Sequence, residues 1–277
     1  MLAARIYGDH SIEARRTLPV ICLPGLTRNG RDFHQIALRL SRASRPRRVI
    51  ALDYRGRGRS DWDGNKQNYN LAVEAGDVLT ALDALDVEHA IFIGTSRGAL
   101  IIHLLAGARP ACLKAAILND AGPVIEGAGL AQIKNYLERT PAPRDWNHAA
   151  ELLRETHGAS FPVLTERDWA EMAEAIYVER KGKLVGDYDP ALTAQLSGID
   201  FNTPLPTLWP QFDGLRHIPL MVIRGEHSAL LTERTVTEMA VRHSDLVVQV
   251  ASGQGHAPLL HVGTLPETIE AFLHRFS

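Results

Sequence analysis

The sequence predicts an α/β protein in which a mainly parallel sheet, flanked by helices, is interrupted by a helical insertion. Three observations carry that prediction. Short β-type runs alternate with longer helical patterns up to Asp120 and again after Leu205, the alternation that βαβ units produce. Between Gly122 and Leu205 the β-runs give way to helical patterns. The 277 residues, 45% of them apolar and 22% charged, fit one large domain with an insertion, whose core needs no disulfide staples.

Taken in order, residues 19–23 (PVICL) read as a strand stopped by the Pro24–Gly25 turn signal. Residues 48–52 (RVIAL) read as a second strand, leading into the loop 53–60 (DYRGRGRS) with turn glycines Gly56 and Gly58. Residues 71–85 are helical, with Val78, Leu82 and Leu85 on one face. A strand at 89–93 (HAIFI) precedes a helix at 99–106 that is apolar almost all round and therefore deeply buried. Residues 113–118 (LKAAIL) form a strand ending at Asn119–Asp120. In the insertion, 129–139 and 166–178 are helical, and Tyr136, Trp146, Trp169, Tyr177 and Tyr188 place half of the chain's Trp and Tyr there. Strands return at 219–223 (PLMVI) and 245–250 (DLVVQV). A last helix, 266–276, aligns Ile269, Phe272 and Phe276. No repeat, heptad series or low-complexity tract is present.

Composition excludes several function classes. A formal net charge of −2 gives no global pull toward nucleic acid or an anionic membrane. The arginines at 42, 45, 47, 48, 55, 57 and 59 form a locally basic stretch, read as a solvated face because no aromatic interleaving or nucleic-acid module accompanies it. Cys22 and Cys112 sit in apolar runs and read as buried thiols in a reducing compartment. The N-terminal residues lack the apolar stretch of a secretory signal, and no run approaches the roughly 20 residues of a membrane helix, so the expected location is cytoplasmic.

The chemistry is carried by Gly94-Thr95-Ser96-Arg97-Gly98, a G-x-S-x-G between a strand and an apolar helix. A serine in that tight turn projects its hydroxyl above the sheet edge. Gly94 and Gly98 are needed where any Cβ would meet backbone. The helix N-terminus sets N–H groups beside a developing oxyanion, that of Arg97 being one donor. The base is His256, in the glycine-rich loop Gly253-Gln254-Gly255-His256 after a late strand. His103, inside the apolar helix, reads as a satisfied core residue. The second oxyanion donor is expected from the Leu26 N–H in the loop after the first core strand. Arg28 and Phe33 are candidate substrate contacts; Arg28 and Arg97 offer planar donor forks for a carboxylate, unless they pair with Asp32 and Asp120. No metal-ligand spacing and no phosphate-cradling loop is present.

Five segments together resemble the α/β-hydrolase superfamily over essentially the whole chain: LPGLTRNGRDF, DYRGRGRSD, GTSRGAL, LNDAGP, and RGEHSALL followed by GQGHAP. The chain is similar to capped bacterial hydrolases related to carboxylesterases, C–C bond hydrolases and cofactor-free haloperoxidases. The resemblance implies a mainly parallel, eight-stranded-type sheet, a core at 1–122 and 207–277, and a helical cap at 123–206. One departure stands out. The segment 224–232 usually carries the triad Asp where this chain has Ala229, and a missing acid would cost about 10⁴-fold in kcat. Asp120, at the place some relatives of the haloalkane-dehalogenase type use, and Glu226 are the substitutes; the third option is that no acid works. The expected activity is two-step acyl transfer on a small-molecule ester, with neither cofactor nor metal, and with nucleic acid and membrane excluded as partners. The alternatives are C–C or lactone hydrolysis with the same Ser and His, and a ligand-binding descendant with impaired turnover.

Overall fold

The computed structural model describes residues 1–201 and 203–276. Nine strands occur among them: β1 (Ala3–Tyr7), β2 (Val20–Leu23), β3 (Val49–Asp53), β4 (Ala90–Thr95), β5 (Leu113–Asn119), β6 (Tyr177–Arg180), β7 (Lys183–Gly186), β8 (Leu220–Gly225) and β9 (Leu246–Ala251). Seven of these form one sheet in the order β1-β3-β2-β4-β5-β8-β9, parallel except for β1 on β3. The sequence points to an eight-stranded type; among the described residues a single antiparallel strand, β1, precedes β2. That strand gives little signal, because it is a short edge piece with no fully buried residue.

The helices are α1 (Ile12–Arg15), α2 (His34–Arg42), α3 (Leu71–Ala84), α4 (Arg97–Ala108), α5 (Gly127–Arg139), α6 (Trp146–His157), α7 (Glu166–Ile176), α8 (Trp209–Asp213), α9 (Glu233–Arg242) and α10 (Leu265–Leu273). Strand side chains alternate between two cores, as the pleat requires. Ile21 and Leu23 of β2 join Val78 of α3, Leu105 of α4 and Met239 of α9 on one face. Val20 and Cys22 join Ile36 of α2 and Ile269 and Phe272 of α10 on the other. With both faces covered, β3, β4 and β8 are buried along almost their whole length. Cys22 and Cys112 are buried free thiols.

The insertion leaves the sheet after β5. Its ends are pinned together, the Leu208 N–H donating to the Pro123 carbonyl at 2.7 Å. It has its own core, in which Leu153 of α6, Phe161, Trp169 and Met172 of α7, and Leu184 of β7 pack together. It is not wholly helical: β6 and β7 form an antiparallel hairpin. The helix read at 166–178 stops at Ile176, and Lys181 and Gly182 turn the chain at φ +54° and +72°, the left-handed pair of a two-residue hairpin. The hairpin's charged residues, Glu179, Arg180 and Lys183, mask its β pattern.

The arginine-rich stretch is a solvated face only in part: Arg42, Arg45 and Arg59 are exposed, but Arg47 and Arg57 are buried. Arg47 is 1% exposed and donates to the carbonyls of Leu18, Leu273 and Phe276. Arg57 is fully buried, and Arg55 pairs with Asp63 and Asp77. A guanidinium is a rigid fork of five donors, so it can be spent inside on carbonyls and carboxylates that composition does not reveal. No helix among the described residues is long and apolar enough to cross a membrane.

Candidate active site

Strand β4 runs out at Thr95 and α4 begins at Arg97, so Ser96 alone makes the turn. Its backbone sits at φ 52°, ψ −112°, a strained conformation for a residue with a Cβ. Two close approaches hold it there. A Cβ on Gly98 would lie 2.0 Å from the Leu23 carbonyl oxygen, and one on Gly94 would lie 2.5 Å from the Gly98 carbonyl carbon. The Ser96 N–H donates to the Asn119 carbonyl at the end of β5, 2.9 Å away.

His256 reaches the same edge from the loop after β9. Buried Gln254 shapes that loop: its carbonyl accepts from the His227 N–H and its side chain from the Leu259 N–H, at 2.9 and 2.8 Å. Asn119 fastens the loop to the sheet, its Nδ2 donating to the Pro258 carbonyl at 2.9 Å and to Thr95 Oγ1 at 3.1 Å. Ser96 Oγ then lies 2.9 Å from His256 Nε2, and His256 Nδ1 lies 2.8 Å from Asp120 Oδ2. Asp120 is fully buried just past β5. Its N–H donates to the Ile223 carbonyl, and its Oδ1 accepts from the Gly225 N–H at 2.8 Å. One carboxylate oxygen thus faces the imidazole and the other is taken by backbone.

Of the remaining acid positions, Glu226 is exposed and accepts from Ser252 Oγ and the Gly253 N–H, at 2.9 and 2.7 Å. Those bonds hold its carboxyl below the usual range and leave it capping the turn at Gly253 rather than facing His256. Ala229 lies under the start of α5, where a Cβ on Gly129 would meet its carbonyl oxygen at 2.7 Å.

The Leu26 and Arg97 N–H groups have no hydrogen-bond partner among the described residues. Leu26 lines, with Ser96 and His256, a cavity of about 370 Å³. Its sheet-side wall includes Arg28 and Phe33, and its insertion-side wall includes Tyr136, His157, Tyr177 and Tyr188. Arg28 Nε and Nη2 grip Asp32 at 2.7–3.0 Å. The Arg97 side chain turns away from Asp120 and donates to Glu74 at 2.6 Å. Burial pushes the His157 imidazole down to about 4 and the Tyr136 phenol up to about 12, so both are neutral near pH 7. His103 is buried with Nδ1 2.7 Å from the Ala99 carbonyl, but its Nε2 has no partner; it is only half satisfied. Sequence reasoning also missed Asn119, Gln254, Arg57 and Glu74. Asn119 sits in the LNDAGP segment, which drew notice only for Asp120. The other three carry no local signal.

The chain matches the family model described as alpha/beta hydrolase fold over residues 19–260. It is 32% identical over 251 residues, covering 86% of this chain and 82% of the relative, to the 3-hydroxybutyrate-oligomer hydrolase of Cupriavidus necator. It is 25% identical to the 2-(acetamidomethylene)succinate hydrolase of Mesorhizobium japonicum over 92% of each chain. The crystal structure of an alpha/beta hydrolase from Novosphingobium aromaticivorans superposes with a TM-score of 0.87 at 36% identity, covering 99% of this chain and 94% of that one. The chain therefore belongs to the alpha/beta hydrolase family, and within it is a hydrolase.

Proposed function

We propose that this chain is a serine hydrolase of small carboxylic esters, working through an acyl-enzyme. The observation that carries the reading is the hydrogen-bonded series Asp120–His256–Ser96 opening into the cavity. Ser96 Oγ attacks the ester carbonyl while His256 Nε2 takes its proton. Asp120 holds Nδ1–H and balances the imidazolium. The Leu26 and Arg97 N–H groups receive the oxyanion. The tetrahedral adduct expels the alcohol, which leaves with the proton from His256. Water, deprotonated by His256, then cleaves the acyl-enzyme and returns Ser96 to its resting state. Asp120 occupies the role that Ala229 cannot fill, which weighs against a binding protein with impaired turnover.

The substrate class is an ester of a short hydroxy acid, including oligoesters of the kind named for the Cupriavidus relative. The insertion-side wall supports this. Three phenols and a neutral imidazole offer uncharged hydrogen-bonding groups to ester oxygens and hydroxyls, while Arg28 keeps Nη1 for a terminal carboxylate. The test is hydrolysis of p-nitrophenyl butyrate, a linear 3-hydroxybutyrate dimer, a lactone and a vinylogous diketone by the wild type and by Ser96→Ala. Turnover of the first two, absent in Ser96→Ala, supports the reading. Preference for the lactone or the diketone replaces it with lactone or C–C hydrolysis.

A further inference from the structure

Behind the Ser96 turn lies a buried group of charges that the reaction as drawn does not use. Arg57 and Glu74 have fully buried side chains, and Arg97 is 11% exposed. Arg97 Nε donates to Glu74 Oε2 at 2.6 Å. The opposite carboxylate oxygen, Oε1, lies 2.9 Å from Arg57 Nη1. Arg57 then reaches out of the triad, its Nε donating to the Leu26 carbonyl at 2.5 Å and its Nη1 to the Arg55 carbonyl at 2.9 Å. The Tyr54 ring lies 5.3 Å from the Arg57 guanidinium.

The ends of this chain of contacts are Leu26 and Arg97, the two residues whose N–H groups serve as oxyanion donors in the ester-hydrolase reading, on which this inference rests. They come from different segments, the loop after β2 and the first turn of α4. The pairing of β2 with β4 and the approach of Gly98 to the Leu23 carbonyl bring the two segments together, but Leu26 lies three residues past that contact, on the loop. The triad also holds two cations and one anion, so one positive charge is left over in the interior. Burying charge is costly, and ion pairs seldom repay the cost in stability. Here the surplus charge is carried by the Arg97 side chain itself and by Arg57, which is bonded to the Leu26 carbonyl, in surroundings that screen it weakly.

We infer that Arg57, Glu74 and Arg97 form an oxyanion-hole clamp, in which Arg57 and Glu74 are positioning residues. The clamp sets the spacing of the Leu26 and Arg97 N–H groups before substrate arrives and backs them with a fixed positive charge. Oxyanion donors act only when they already sit about 2.7–3.1 Å from the oxygen of the tetrahedral adduct, and a displacement of roughly 1 Å costs about 10²-fold.

The test uses the full-length protein, p-nitrophenyl butyrate as substrate, and two inhibitors. Butaneboronic acid becomes tetrahedral and anionic on Ser96; butyramide stays planar and neutral. Arg57→Met and Glu74→Gln are each expected to lower kcat by about 10²-fold, the loss typical of one oxyanion donor. KM and butyramide inhibition should stay near wild type, and boronic-acid affinity should fall by a factor similar to kcat. Arg97→Met, at the edge of the triad, applies the same criterion where a more buried variant does not fold. The inference is overturned if the folded variants keep kcat and boronic-acid affinity, or lose butyramide binding equally. It is likewise overturned if all three unfold, which would make the triad a folding element. Absence of wild-type ester turnover, or its persistence in Ser96→Ala, defeats the ester-hydrolase reading instead.

Discussion

On the sheet side of the cavity, Ser96, His256 and Asp120 are joined by bonds of 2.8–2.9 Å, and Asp120 is anchored in turn to the Gly225 N–H. On the insertion side, the hydroxyls of Tyr136, Tyr177 and Tyr188 have no hydrogen-bond partner among the described residues, and their rings belong to a wall built by apolar packing. The sheet side rests on strand ends, a strained turn and glycines that no other residue can replace. The insertion is fastened to the core by polar bonds set apart from those hydroxyls, among them Arg31 to Asp187 at 2.8 Å and to the Ala175 and Tyr177 carbonyls, Tyr69 to Asp189 at 2.6 Å, and Gly58 to the Asp187 carbonyl at 2.9 Å. A wall fixed by directional bonds suits groups that must hold a transition state. One fixed by packing, with free hydroxyls, suits groups that choose among substrates. Substitutions on the two sides should therefore separate kinetically, in kcat below and in specificity above.

The largest effect is expected at the nucleophile. Ser96→Ala should lower kcat for p-nitrophenyl butyrate by about 10⁶-fold, as loss of the serine does in Ser-His-Asp enzymes; retention of more than a few per cent would break the sheet-side assignment. Asp120→Asn should cost about 10⁴-fold in kcat with little change in KM, because His256 loses the partner that fixes its tautomer. The matching Glu226→Gln should fall within about twofold of wild type, since an exposed turn cap contributes little to chemistry. Reversal of these two outcomes would move the acid to Glu226. On the insertion side, Tyr136→Phe and Tyr188→Phe should lower kcat/KM for the 3-hydroxybutyrate dimer relative to p-nitrophenyl butyrate by about tenfold, the worth of one hydrogen bond. An equal loss on both substrates would erase the contrast between the walls.

A separate prediction concerns pH and stability. Burial lowers His103 to about 4, below its ordinary 6.5, and lowers His157 similarly. Between those values the unfolded chain binds more protons than the folded one. The stability contribution is therefore complete above 6.5 and is lost as pH falls toward 4. From pH 7 to pH 5, His103 alone should remove about 2 kcal/mol of unfolding free energy. Denaturant titrations at the two pH values check this, and His103→Gln should shrink the difference by about that amount, leaving the part due to His157.

What the sequence determined by itself is whatever rests on local pattern. The strands of the parallel sheet were legible because burial on both faces demands unbroken apolar runs. The Ser96 turn was legible because only glycine tolerates the Leu23 carbonyl beside residue 98. The His256 loop showed through its glycines. What the tertiary structure decided rests on pairing between segments far apart in sequence. The acid facing His256 is Asp120, 136 residues away; a carboxylate after a strand looks the same locally whether it faces an imidazole, as Asp120 does, or caps a turn, as Glu226 does. Arg47 and Arg57 read as solvated because composition counts charges and not partners. Only the fold brings Glu74 of α3 between Arg57 and Arg97. Periodicity and turn chemistry are properties of neighbouring residues, whereas a buried charge is tolerated or not according to what the rest of the chain places opposite it.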